Sequence, residues 1–67
     1  MTWMMVLILT IDGLPVYSMP IESELFTNYA MCSYYAIDAK NQMNILLQDK
    51  PGYRVTWACS QTKLASQ

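Results

Sequence analysis

The feature that most constrains the fold is an apolar run that meets Asp12 and Gly13 and then gives way to a second extended stretch. The run, TWMMVLILTI, is rich in β-branched and large apolar residues, as strands are. Aspartate followed by glycine suits a two-residue type I′ turn, because both central residues of that turn need a positive φ. The sequence therefore predicts a β-hairpin with strands at 3–11 and 14–21.

The register of this hairpin assigns each side chain to one of two faces. If Ile11 pairs with Leu14, one face carries Met4, Val6 and Ile8 beside Tyr17, Met19 and Ile21, and the other carries Met5, Leu7 and Leu9 beside Val16 and Ser18. Both faces of the first strand are then apolar, which is typical of a central strand that is covered on two sides. Pro15 and Pro20 cannot donate ladder hydrogen bonds, so they predict that the second strand is an edge strand.

A helix is predicted over 28–47, because from Phe26 onward the period of the apolar residues changes from two to about 3.6. Thr27 is its predicted N-cap, and Phe26 is expected to pack against Met31 as a hydrophobic staple. The side chains of its core stripe recur every three or four residues: Tyr29, Cys32, Ala36, Ala39 or Lys40, Met43 and Leu47. Small residues in the middle of this stripe allow the helix to approach a sheet closely.

Pro51 and Gly52 end the predicted helix, and a third strand is expected over 53–60, with a tail at 61–67. The strand alternates between one face with Tyr53, Val55, Trp57 and Cys59 and another with Arg54, Thr56, Ala58 and Ser60. A right-handed crossover then places the first strand in the middle. The sequence thus predicts one α+β domain over 1–67: a ββαβ chain whose three-stranded antiparallel sheet has the order 2-1-3, with one helix packed on one face.

The two cysteines fall on different elements, Cys32 on the predicted helix and Cys59 on the third strand. In this topology Cys32 points towards the sheet and Cys59 towards the helix, so the two sulfur atoms could meet in a disulfide. Closing a loop of about 28 residues would stabilise the fold by roughly 3.5 kcal/mol. The alternative is a pair of reduced, buried thiols, as is usual in a cytosol. The sequence leaves both states open.

Charge and composition argue against several classes of function. Four basic and five acidic side chains give a net charge of −1, which is too little for binding to a nucleic-acid backbone. The chain has no histidine and two glycines, so zinc ligation, a Ser-His pair and a glycine-rich phosphate loop are not expected. We therefore expect no enzyme, and no catalytic residue, cofactor, metal ion or nucleic-acid partner.

The apolar run Met4–Leu9 also raises the question of a signal peptide or a membrane segment. No Lys or Arg precedes it, no small-residue cleavage site follows it, and a span needs about 20 apolar residues. We expect neither, and no membrane partner.

A short pattern resembles a group of small uncharacterised proteins of tailed bacteriophages and prophages. It consists of Phe26, Thr27, Asn28, Cys32 and Ala36, followed by the strand residues Val55 to Cys59. Ala30 departs from the pattern, because a capping-box glutamate is common at this position in the group. The resemblance implies a phage or prophage origin. It implies no activity and no binding residue.

The candidate interface follows from the apolar content, which is 54% of the residues. One helix covers one side of three strands, and a contiguous apolar remainder usually marks an interface. We expect this interface to comprise the second face of the sheet and two tyrosines off the helical stripe: Trp3, Met5, Leu7, Leu9, Val16, Tyr34 and Tyr35. For the two tyrosines the alternative is that they cover the edges of the sheet.

These observations predict a small non-enzymatic accessory protein of phage type that acts by protein–protein interaction in the host cytoplasm. The partner is expected to be a second copy, in a homodimer, or a host or phage protein. The alternative is a structural component of the virion, such as a cement or decoration subunit.

Overall fold

The computed structural model describes residues 3–61, which form four elements. Strand β1 spans Trp3–Ile11, strand β2 Leu14–Glu22, helix α1 Tyr29–Leu46 and strand β3 Tyr53–Gln61. The strands form one antiparallel sheet in the order β2-β1-β3, with α1 on one face. The predicted ββαβ fold is therefore confirmed, and Gln61, expected in the tail, ends β3 instead. The rest of the predicted tail, 62–67, lies outside the described residues.

Two turns meet at one end of the sheet. Asp12 and Gly13 take φ values of 54° and 84°, the positive values that the predicted hairpin turn needs. The amide of Asp12 donates to the carbonyl of Gly52, at 2.8 Å, in the turn that precedes β3. Gly52 also has a positive φ, and a Cβ there would collide with the Asp12 carboxylate. The glycine therefore allows the two turns to pack against each other.

The hairpin contains a β-bulge, which the sequence did not predict. Next to the turn, Ile11 pairs with Leu14 as expected. Farther from the turn the register shifts between Thr10 and Leu9, so that Leu9 lies opposite Tyr17. Val16 is the extra residue, so the predicted register is wrong from Tyr17 onward, because one inserted residue moves every following side chain to the other face. The shift turns Met19 and Ile21 towards the core, against which both pack.

Helix α1 covers the face of the sheet that carries Trp3, Met5, Leu7 and Leu9, which we call the inner face. Met5 and Leu7 are each 5% exposed. Met5 pairs with Cys59 across the β1–β3 ladder, so both side chains lie on the same face. The disulfide between Cys59 and Cys32 places α1 on that face.

The core is small and lies between the inner face and the predicted stripe of α1. Its buried members are Met5, Leu7, Phe26, Cys32, Ala36 and Val55. Ala39, Met43 and Leu47 pack against them, which confirms the stripe except at Tyr29, whose side chain is 51% exposed. The predicted N-cap is wrong by one residue: Asn28 is the cap, and its Oδ1 accepts a hydrogen bond of 2.8 Å from the Met31 amide.

Two tethers hold α1 over β3. Near the start of the helix, Cys32 and Cys59 form a disulfide with 6.3 Å between their Cα atoms, so the pair that the sequence left open is bonded. Near its end, the side-chain amide of Asn44 makes two hydrogen bonds with the backbone of Val55. Its Nδ2 donates to the Val55 carbonyl at 3.0 Å, and its Oδ1 accepts from the Val55 N–H at 2.8 Å. Helix α1 accordingly packs on β3 and β1, while among the described residues β2 has no close backbone contact with it.

Candidate interaction surfaces

The structure separates the seven residues of the predicted interface. The prediction of an open face is wrong for Trp3, Met5, Leu7 and Leu9, because these line the inner face, which α1 covers. The sequence could not decide which face was covered, since β1 is apolar on both. Val16 is exposed at the bulge, away from the helix tyrosines.

The two tyrosines of the predicted interface differ in their surroundings. Tyr34 is 67% exposed, whereas Tyr35 is half-buried and packs against Phe26, with 5.7 Å between the ring centroids. The two tyrosine rings contact each other edge-on at 5.3 Å. Tyr35 therefore covers the core, and Tyr34 alone presents most of its ring to solvent.

The opposite side of the sheet, which we call the outer face, has no covering element among residues 3–61. Along its centre β1 presents the half-buried side chains of Met4, Val6 and Ile8. The flanking strands add Ser18, Pro20 and Glu22 from β2 and Arg54, Thr56, Ala58 and Ser60 from β3. An apolar centre with a polar rim is the usual anatomy of a protein interface.

Two opposite charges occupy diagonal corners of the outer face. Glu22 on β2 pairs with Met4, at one end of β1, and Arg54 on β3 pairs with Thr10, towards the other end. Thr10 lies six positions after Met4, a distance of about 20 Å along a strand. The charges therefore lie at opposite ends of the apolar centre and are too far apart for a salt bridge within one chain.

A groove opens on the inner side of the sheet, where α1 leaves β2 uncovered; we call it the side groove. Its volume is about 300 Å³. Its lining consists of Leu7, Leu9, Tyr17, Met19, Met43, Leu46, Leu47, Lys50, Tyr53 and Val55. Lys50 is the one charged residue of this lining. The side groove was not predicted, because its existence depends on the lateral position of α1 over the sheet.

The candidate sites of residues 3–61 are these surfaces, and a cluster of buried polar side chains is not found among the described residues. All fully buried residues in this range are apolar. Within residues 3–61 no group of three or more His, Cys, Asp or Glu side chains is arranged to hold a metal ion. Helix α1 does not have the length and apolarity that a membrane crossing would require, and no other helix occurs in that range.

Comparison of the chain with protein-family models, with curated proteins and with solved structures found no match. The resemblance to small phage proteins therefore stays a prediction.

Proposed function

We propose that this protein is a non-enzymatic accessory protein that acts by binding other protein chains and that it forms a homodimer through the outer face. The observation that carries this proposal is that β1 is apolar on both faces, whereas α1 covers the inner face alone. Apolar side chains left open in the middle of a sheet usually mark an interaction site.

The arrangement of charge on the outer face supports a second copy as the partner. In a two-fold dimer, if residue i of one protomer contacts residue j of its partner, then j also contacts i. A two-fold axis perpendicular to the Glu22–Arg54 diagonal would bring each arginine onto the glutamate of the other protomer. Met4, Val6 and Ile8 of the two copies would then pack between two such ion pairs, as facing sheets pack at about 10 Å.

Analytical ultracentrifugation tests the dimer. The unmodified protein is expected to sediment as a dimer at high micromolar concentration, and Val6→Asp as a monomer, because it places a charge in the apolar centre. Ile45→Asp is the matched control: Ile45 is 61% exposed on α1, on the other side of the sheet. The control is expected to remain dimeric. A monomeric unmodified protein at this concentration would overturn the proposal.

A charge exchange tests the two-fold arrangement itself. Glu22→Arg and Arg54→Glu are each expected to weaken dimerisation about fivefold, given the modest energies of exposed ion pairs. The double variant restores both pairs in opposite orientation and is expected to regain the original affinity. Additive losses in the double variant would show that the two charges do not meet.

The second candidate function is that of a structural virion subunit, in keeping with the phage or prophage origin that the sequence resemblance implies. The Cys32–Cys59 disulfide favours it, because disulfides persist in oxidising surroundings and are rare in a reducing cytosol. Mass spectrometry of purified particles separates the two candidates. A virion subunit is expected in stoichiometric copies, and an accessory protein of the host cytoplasm is expected to be absent from the particles.

A further inference from the structure

We propose that the side groove binds an unbranched aliphatic carboxylate, with its hydrocarbon chain along the groove and its carboxylate at Lys50. The groove lies on the helix side of the sheet, whereas the proposed dimer uses the outer face. The inference therefore does not rest on the proposed function.

The position of α1 explains why the groove exists. The Cys32–Cys59 disulfide and the paired hydrogen bonds between Asn44 and Val55 tether the helix to β3. A helix is about 10 Å wide and adjacent strands are about 4.8 Å apart, so one helix covers about two strands. With α1 over β3 and β1, the inward side chains of β2, Tyr17 and Met19, line an open trough.

The lining suits a hydrocarbon chain. The walls are almost continuously aliphatic. They consist of leucines from β1, Met19 from β2, Met43 and Leu46 from the end of α1, and the C-cap residue Leu47. Methionine side chains adapt to the shape of their neighbours, which suits a flexible chain. A volume of about 300 Å³ is at the lower limit of ligand pockets, so the occupant is small.

The charge of the lining selects an anionic head group. Lys50 carries the one charge of the groove, and the phenol groups of Tyr17 and Tyr53 add hydrogen-bond donors. Asp49 is next to Lys50 in the sequence but does not line the groove. A carboxylate can thus make a charge-assisted hydrogen bond with the ammonium group without an opposing carboxylate in the lining.

The end of α1 opposes this selection only weakly. The carbonyl end of a helix carries about half a negative elementary charge, which disfavours an anion. Here the carbonyls of Ile45 and Leu47 accept hydrogen bonds from the amides of Gln48 and Lys50, at 3.3 and 2.9 Å. The full positive charge of Lys50 therefore outweighs the partial negative charge of the helix end.

Isothermal titration with octanoate, decanoate and dodecanoate, below their micelle concentrations, tests the hydrocarbon site. Each buried methylene contributes about 0.8 kcal/mol, so each added pair of methylenes is expected to tighten binding about 15-fold until the groove is full. Leu46→Asp, at a residue that is 75% exposed at the groove, is expected to abolish binding while the chain stays folded.

Lys50→Gln tests the head-group contact, with Lys40→Gln as the matched control. Lys40 lies on the opposite side of α1, beside Thr56 and Trp57. Lys50→Gln is expected to weaken dodecanoate about tenfold and to leave dodecanol unchanged, as expected for one lost charge-assisted hydrogen bond. The control is expected to bind both compounds like the unmodified protein.

Three results would overturn the proposal. One is the absence of saturable binding by any of the three acids. Another is an equal loss in both lysine variants, which indicates unspecific adsorption. The third is a dimer that dissociates on Leu46→Asp, because a second copy would then occupy the groove. Binding by Val6→Asp separates the two proposals, since this variant loses the outer-face dimer and is expected to keep the groove.

Discussion

At the scale of single residues, the start of α1 depends on which of two adjacent polar side chains caps it. Thr27 and Asn28 both belong to the residue types preferred at an N-cap, so the sequence could not separate them. Asn28 has extended backbone angles and accepts from the Met31 amide, whereas the Thr27 amide donates to the Leu25 carbonyl. Phe26, two residues before the cap, is buried in the core and packs against Tyr35.

Alanine substitution distinguishes the two caps. Asn28→Ala removes the acceptor of the Met31 amide and is expected to lower the free energy of unfolding by about 1 kcal/mol. Thr27→Ala, at an exposed neighbour, is expected to change it by less than about 0.5 kcal/mol. Urea unfolding followed by circular dichroism measures both. An equal loss in the two variants would contradict the assignment of the cap.

At the scale of elements, periodicity predicts the strands and the helix but not how the strands pair with one another. LPVYSMPI reads as one extended stretch whether or not Val16 bulges, because an inserted residue leaves no mark on the local pattern. The faces of β1 are equally apolar, so β1 alone could not show which one is covered. The strongest available signal was on β3, where polar residues alternate with apolar ones and the covered face carries Val55, Trp57 and Cys59.

The candidate site was accordingly predicted in part. The expectation of an open sheet face follows from composition and period, because β1 is apolar on both faces and the chain has one predicted helix. Among residues 3–61 the outer face is open in this way. The identity of that face and the side groove depend on long-range contacts, namely the β1–β3 register and the pairing of Asn44 with Val55. Such contacts are not encoded in the spacing of residues along one element.

Adjacent residues of β1 test which face is covered. Leu7→Asp places a charge without a partner in the core. The loss in the free energy of unfolding is expected to exceed the 3–5 kcal/mol that a core of about this size supplies, so the variant is expected to be unfolded. Ile8→Asp points to the outer face and is expected to keep the far-ultraviolet circular dichroism spectrum of the fold. A folded Leu7→Asp together with an unfolded Ile8→Asp would reverse the assignment of the two faces.

At the scale of the whole molecule, the part of the chain that the structure describes is thin for its length. Its extents are 42 × 20 × 12 Å and its radius of gyration is 13.0 Å, compared with about 11 Å for a compact chain of this length. Within residues 3–61, six residues make up the buried core. A layer one helix thick over three strands buries little apolar area, so covalent and intermolecular contacts have a large share in stability.

Removal of the disulfide is therefore expected to bring the isolated chain close to the unfolding midpoint at room temperature. The bond between Cys32 and Cys59 closes a long loop, and its loss in the Cys32→Ala, Cys59→Ala double variant lowers the free energy of unfolding by about 3.5 kcal/mol. Urea unfolding of the oxidised protein and of the double variant, each at two protein concentrations, separates this effect from dimerisation, because only the dimer contribution changes with concentration.

Dithiothreitol is expected to destabilise the unmodified protein and to leave the double variant unchanged, which controls for the reagent. If the urea midpoints of the oxidised protein and the double variant coincide, the apolar contacts between α1 and the inner face suffice on their own, and the disulfide has no stabilising role.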